Sequence, residues 1–217
     1  MAVTFDESRI TVLDHPLVHH KMHLLRAENT NTMQTRSLVR ELTVMLAYEA
    51  TRDLPLEDVP VHTPVADTIG KRIAGKKLSV IPILRAGMGM MEGVLDLIPA
   101  AHVGVLGMQR NEVTHEPEWY YDKLPVACDE RVCLLVDPML ATGGSIKASV
   151  EYLRNAGTND IRVLTLVSAP EGVKAVTEAD PDVHIWTCAL DEGLNENAYI
   201  VPGLGDAGDR IFGTLGA

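Results

Sequence analysis

Positive charge, cysteine and long apolar runs are all scarce in this chain of 217 residues, and each scarcity excludes something. Lys and Arg number 19 against 30 Asp and Glu, a formal net charge of −11. That balance argues against a nucleic-acid-binding surface, and so against a regulator that holds RNA, because phosphate backbones are gripped by a basic face. An anionic small ligand stays open, since a pocket needs only local positive charge. The three cysteines, Cys128, Cys133 and Cys188, show no metal-ligand or redox spacing, which predicts buried thiols in a reducing, cytoplasmic setting. The most apolar long stretch, 93–108, is broken by Asp96, Pro99 and His102 and falls short of the ~20 apolar residues of a membrane helix. The N-terminal stretch includes Asp6 and Glu7 and lacks the basic-then-apolar layout of a signal peptide. The expectation is a soluble protein with no membrane partner.

Hydrophobic residues at 46% and charged residues at 23% are ordinary for a globular chain, and the length suits one domain spanning 1–217. Apolar runs at 78–84, 101–108, 132–136, 161–167 and 183–187 read as strands, with helical patterns between them at 89–97, 145–155 and 171–178. Strands alternating with helices of this length predict an α/β fold, a doubly wound, mostly parallel sheet covered on both faces. Ahead of it, 36–52 places Leu38, Leu42, Met45, Leu46 and Glu49 at helical spacing, and Pro60 and Pro64 make 59–65 an edge strand. Segment 14–26 carries His15, His19, His20 and His23. No cysteine or acid completes a metal set there, and Leu17, Val18, Met22, Leu24 and Leu25 explain it as packing.

Two stretches break the pattern. Residues 110–124 are polar and aromatic, with Trp119, Tyr120 and Tyr121, and read as a projecting hairpin or lid, or alternatively as a subunit contact. Residues 199–209 are glycine-rich, a loop suited to bringing backbone against a flat ligand.

The most informative segment is 132–146. The strand 132–136 ends in Asp137, and Ala141-Thr142-Gly143-Gly144-Ser145 then opens a helix that Gly157 stops. With no bulky side chain in that turn, its amides can close around an anion where the helix dipole also favours negative charge. Asp137, at the carboxyl end of its strand, points toward whatever the anion is attached to. A tight Gly-Gly turn needs no ligand; the acid before it favours a phosphosugar site.

Two other glycine motifs do not qualify. Gly70 to Lys77 nearly fits a Walker A loop, but Lys77 replaces the required Ser or Thr and the segment precedes a strand, so it reads as a solvated basic turn. Gly87-Met-Gly89-Met-Met-Glu-Gly93 mimics a dinucleotide fingerprint with its spacing off by one and no acid ending the next strand, so it reads as a turn needing close backbone approach. Arg85 ends the strand 78–84 at the same sheet edge as Asp137, and a guanidinium can hold two phosphate oxygens at once. Arg110 sits at the mouth of the lid.

Asp137-Pro-Met-Leu-Ala-Thr-Gly-Gly-Ser145 resembles the signature loop of the uracil phosphoribosyltransferases, which carry Pro138 where most relatives of the wider superfamily place a second acid. The resemblance runs through 15–21, Tyr48-Glu-Ala-Thr, Ile83-Leu-Arg-Ala-Gly87, Tyr120-Tyr-Asp-Lys-Leu-Pro125 and the block 199–214. One departure is Ala198, where the family usually has glycine; another is the end, Leu-Gly-Ala after Thr214, where relatives often have lysine. The resemblance implies transfer of ribose 5-phosphate from phosphoribosyl pyrophosphate (PRPP) to uracil, giving UMP and pyrophosphate in pyrimidine salvage. It implies PRPP contacts from Arg85, Arg110, Asp137, Pro138, Met139, Leu140, Ala141, Thr142, Gly143, Gly144, Ser145 and Asp206. It implies uracil contacts from Tyr199, Ile200, Gly205, Asp206 and Ala207, in a base-binding hood over 188–217. Catalysis would fall to Asp137, Asp206, Arg85 and Arg110. Mg²⁺ would arrive with PRPP and reach Asp206 through water, with no metal site from the protein alone. GTP activates some members of the family. The lid and the N-terminal helices suggest a homo-oligomer, a dimer or a dimer of dimers.

Overall fold

In a computed structural model the chain is described over residues 3–75, 78–110 and 117–214. The elements run β1 (Ile10–Val12), α1 (Pro16–Arg26), α2 (Thr32–Ala50), β2 (Leu56–His62), β3 (Asp67–Ile73), β4 (Ser79–Leu84) and α3 (Met88–Leu97). There follow β5 (His102–Val103), β6 (Val105–Arg110), β7 (Pro117–Lys123), β8 (Val132–Val136), β9 (Met139–Leu140) and α4 (Gly144–Asn155). The last part holds β10 (Asp160–Ser168), α5 (Pro170–Ala179), β11 (His184–Leu190), β12 (Gly193–Leu194), β13 (Ile200–Val201) and α6 (Ala207–Phe212).

The central sheet has the order β1-β11-β10-β8-β4-β6-β7, with β5 beside β4 and β9 beside β10. Every pair in it is parallel except β6 with β7. Its strands are apolar on both faces because helices cover both. Val80, Leu134, Val136, Leu164 and Leu166 pack under α1, α2, α3 and α6. The alternate residues Ile81, Ile83, Cys133, Leu135 and Val163 pack under α4 and α5. The predicted strands and helices are present. Among the described residues no helix is long and apolar enough to cross a membrane.

Helix α2 begins earlier than its apolar spacing suggests, because Asn31 and Gln34 form a reciprocal capping box. Leu38, Leu42 and Leu46 then make its buried stripe. In α1 only Val18, Met22 and Leu25 are buried; Leu17 and Leu24, expected to pack, lie off that stripe and are exposed. His15 caps this helix by accepting from the Leu17 amide, and His19 bonds Asp14.

Three expectations change. The strand around 59–65 is not an edge of the main sheet but half of a separate hairpin, β2–β3. The basic turn at Gly70 is the other half: Lys71 and Arg72 pair across the ladder with Asp58 and Glu57, so cross-strand opposite charges support it as a strand. Lys76 and Lys77 lie outside the described residues. The strand at 101–108 is interrupted at Gly104, where an added Cβ would sit 2.8 Å from the Lys123 carbonyl oxygen. Of the stretch 110–124, Pro117–Lys123 is β7, paired antiparallel with β6 at the end of the sheet, and 111–116 lies outside the described residues.

Candidate active site

The chain passes from β4 outward to β6 and β7, then returns to place β8 on β4's other side. The crevice between the ends of β4 and β8 is therefore the switch point of the sheet, where open α/β folds bind ligands. At Pro82 and Val136 the two strands are still in register. Just beyond, Gly87 packs so tightly that a Cβ would lie 2.4 Å from the Val136 carbonyl oxygen, so the turn after β4 closes onto β8 only with glycine there. The resemblance of Gly87–Gly93 to a nucleotide fingerprint is thus accounted for by packing.

Past β8 the chain makes a second short contact with β10. The Pro138 carbonyl accepts from Leu166 and Val167 at 2.9 and 3.1 Å, and Leu140 accepts from Ala169 at 2.8 Å. Leu140 is fully buried. These bonds commit Pro138 and Leu140 to holding the loop, and leave Ala141 to Ser145 as the part turned to the crevice. Gly143 is the N-cap of α4 with φ of 84°, a left-handed conformation, and a Cβ there would press on the Gly172 carbonyl at 3.0 Å. No side chain caps this helix. Around its N-terminus Thr142, Gly144 and Ser145 are exposed. A dipole end with uncapped amides and two presented hydroxyls suits a phosphate dianion.

Asp137 follows β8 and opens this loop. Burial against apolar atoms pushes its carboxyl up to about 7, opposed in part by the Met139 amide. Arg85 follows β4, after a cis Leu84–Arg85 peptide. Its guanidinium is exposed, 3.7 Å from the Asp209 carboxylate and 5.8 Å over the Phe212 ring. A contact of 3.7 Å is too long for a hydrogen bond, so among the described residues the planar fork is left available. Arg110 ends β6, next to β4 at the same edge, and its side chain is outside the described residues.

The C-terminal segment closes over this edge. The boundary expected at 188 falls inside β11, which runs to Leu190; the segment after it is called the hood. β12 and β13 form a two-stranded ribbon, and α6 follows with Asp206 as N-cap, accepting from the Asp209 amide at 2.8 Å. Tyr199, Gly205 and Asp206 are exposed, whereas Ile200 and Ala207 are buried. An Arg85 nitrogen comes within 4.0 Å of where a Gly208 Cβ would stand, so the β4 turn and the hood meet. A cavity of about 660 Å³ borders Gly205 and Asp206, with Thr30, Asn31 and Arg210 on its other walls.

Sequence reasoning missed what fixes the hood. Arg26, at the end of α1, holds Asp191 through two bonds of 2.8 and 2.5 Å and donates to the Gly203 carbonyl at 2.6 Å. Asp191 in turn accepts from the Gly203 amide at 2.8 Å, so one ion pair engages both backbone groups of a hood residue. Arg210 adds bonds to the Leu204 and Ala27 carbonyls, both 2.9 Å. Glu171 accepts from the Leu194 amide at 3.3 Å. Partners 165 residues apart leave no local signal.

Ala198, where glycine was expected, has φ of 62°. Left-handed backbone costs an alanine about 1 kcal/mol relative to glycine, partly offset by glycine's freer unfolded chain. Ala198→Gly should therefore raise stability by roughly 0.5 kcal/mol, read as a melting temperature about 1–2 °C higher. A lower melting temperature would show that the methyl packs usefully.

A switch-point crevice with an uncapped helix terminus, a lone acid and a backbone-lined hood defines an α/β protein of the phosphoribosyltransferase class. The fold of adenine phosphoribosyl transferase from Trypanosoma brucei, solved in complex with AMP, pyrophosphate and ribose-5-phosphate, matches with a TM-score of 0.61 over 95% of this chain and 91% of that one, at 10% identity. Within the class, a family model described as uracil phosphoribosyltransferase matches residues 12–214. Uracil phosphoribosyltransferase of Streptococcus pneumoniae serotype 4 is 56% identical over 206 residues, 95% of this chain and 99% of that protein. The AQ2163 protein of Aquifex aeolicus superposes with a TM-score of 0.89 at 37% identity, covering 94% of this chain and 98% of that one. The chain belongs to the uracil phosphoribosyltransferase family.

Proposed function

We propose that the chain transfers ribose 5-phosphate from PRPP to N1 of uracil, releasing UMP and pyrophosphate, as a cytoplasmic salvage enzyme working as one domain. The observation that carries this reading is the start of α4, with no side-chain cap and left-handed Gly143 as its N-cap, in the loop that Asp137 opens. In this reading the amides from Ala141 to Ser145, with the Thr142 and Ser145 hydroxyls, hold the 5′-phosphate. Asp137 accepts the ribose hydroxyls and steadies the positive charge that develops as the bond to pyrophosphate breaks. Arg85, joined by Arg110 from the lid, takes up charge accumulating on the leaving group. The hood's backbone at Ile200, Gly205 and Ala207, with Tyr199 at its mouth, reads the base edge, where a cytosine amino group would leave a donor unpaired. Catalysis is then alignment and charge placement with no covalent intermediate.

Among the described residues no group of three or more His, Cys, Asp or Glu could hold a metal. In this reading Mg²⁺ would be carried on substrate oxygens, with Asp206 bonding one of the ion's waters, and would neutralise pyrophosphate charge. Activation by GTP belongs to the same family expectation, and a GTP titration of the initial rate reads it. A homo-oligomer is supported by the β2–β3 ribbon, which exposes Leu56, Val61, Val65 and Ile69 although a lone two-stranded ribbon is marginal in water. Sedimentation equilibrium measures it.

The direct test is UMP formation from uracil and PRPP, with adenine, hypoxanthine and cytosine as competitors. Asp206→Asn should lower kcat/KM roughly a hundredfold, about 3 kcal/mol, while an amide oxygen keeps the cap on α6 and the melting temperature. Near-normal turnover in that variant would remove the Asp206 charge from the mechanism.

A further inference from the structure

The sequence spacing of the cysteines suggests no redox pair, but folding makes one. Cys128 lies in a 3-10 turn, Cys128–Glu130, just before β8, and Cys133 is the second residue of β8. Their sulfurs are 3.8 Å apart, and both thiols are free. We propose that Cys128 and Cys133 are an oxidant-sensitive dithiol, which a hydroperoxide converts into an intrachain disulfide.

The surroundings divide the roles. The Thr158 hydroxyl donates to the Cys128 sulfur at 3.6 Å, and the Ser79 hydroxyl lies 3.5 Å from Cys133 and 3.9 Å from Cys128. A proton shared from Cys133, these hydroxyls and the charge of Arg131 all favour thiolate on Cys128 and lower its pKa. Cys133, buried and facing that thiolate, moves the other way. The thiolate is the reactive form of cysteine. Cys128 is also the more accessible of the two, 5% exposed against 0%. The neighbouring Asp129, Glu130 and Arg131 line a surface cavity of about 320 Å³ together with Leu78 and Val132, so open space begins one residue from Cys128 in the chain. Cys188 is an internal control: burial alone raises its pKa.

The chemistry closes in two steps. The Cys128 thiolate attacks one peroxide oxygen, the O–O bond breaks, and hydroxide leaves with Cys128 as a sulfenic acid. The Cys133 sulfur then attacks that sulfur, the S–O bond breaks, and the departing hydroxide takes the Cys133 proton. Two thiols lose two electrons and the peroxide becomes water. The sulfurs must approach from 3.8 Å to about 2.05 Å. Cys133 stands four residues before Asp137, ~13 Å along the strand, so the pair lies at the opposite edge of the sheet from the crevice. The inference is independent of the proposed activity.

The test treats the folded chain with hydrogen peroxide, quenches, unfolds it and counts thiols. Free thiols should fall from three to one. Trypsin cuts after Arg131, between the two cysteines, so peptide 124–131 should appear joined to 132–147 and separate on reduction. Cys133→Ser should stop at a sulfenic acid trapped by dimedone on peptide 124–131, and Cys128→Ser should give neither adduct nor link. Survival of all three thiols, a link to Cys188 or between molecules, or equal oxidation of Cys128→Ser and wild type would each overturn the proposal.

Discussion

Asp137→Asn is expected to lower kcat/KM about a thousandfold, about 4 kcal/mol of transition-state stabilisation, and yet to melt later than wild type at pH 8. The two effects share one cause. A carboxyl that burial pushes from 3.8 to about 7 prefers its neutral form in the folded state. Because the folded pKa lies above the unfolded one, ionisation works against folding. Wild type loses stability from this group as pH rises from about 4 to about 7, and the loss is complete above 7. The displacement corresponds to at most about 4 kcal/mol, and since Asp137 is partly exposed to water a gain of about 1–2 kcal/mol is expected in the Asn variant. For a chain of this size that is a melting temperature about 3–6 °C higher at pH 8, shrinking to nothing by pH 4. In wild type the same titration should make kcat/KM for PRPP rise with pH and level off above about 7, and the Asn variant should lack that limb. A variant that melts earlier at pH 8, or that turns over normally, would contradict this account of the site.

Arg26→Ala should cost about 3–5 kcal/mol of stability and raise the KM for uracil far more than that for PRPP. The side chain of Asp191 is only 5% exposed, so deleting its partner leaves a carboxylate in a poorly hydrated place. The melting temperature should fall by about 10 °C. Asp191→Asn added to Arg26→Met should recover much of that loss by removing the orphaned charge. It should not recover uracil affinity, because the Gly203 carbonyl still lacks its donor and the turn that presents Gly205 is no longer held. Equal rises in both KM values would make the ion pair a general support with no particular tie to the hood.

Much of this was legible because the physics is local. The run 132–136 is β-branched and aliphatic and becomes a fully paired central strand, and Gly157 ends α4 in the left-handed conformation its position predicts. The β2–β3 ribbon was misread for the converse reason. Lys71 and Arg72 look like a solvated turn until Asp58 and Glu57 stand opposite them, and only the register supplies those partners.

The sequence by itself determined the strand and helix periods, the small-residue turn after Asp137 and the family resemblance, since each depends on residues close together in the chain. Only the tertiary structure decided that Arg26 locks Gly203, that Asp206 is also a helix cap, that the Cys128 and Cys133 sulfurs meet, and that burial moves the Asp137 carboxyl. Those outcomes depend on distances and dielectric surroundings that elements far apart in sequence create when they pack.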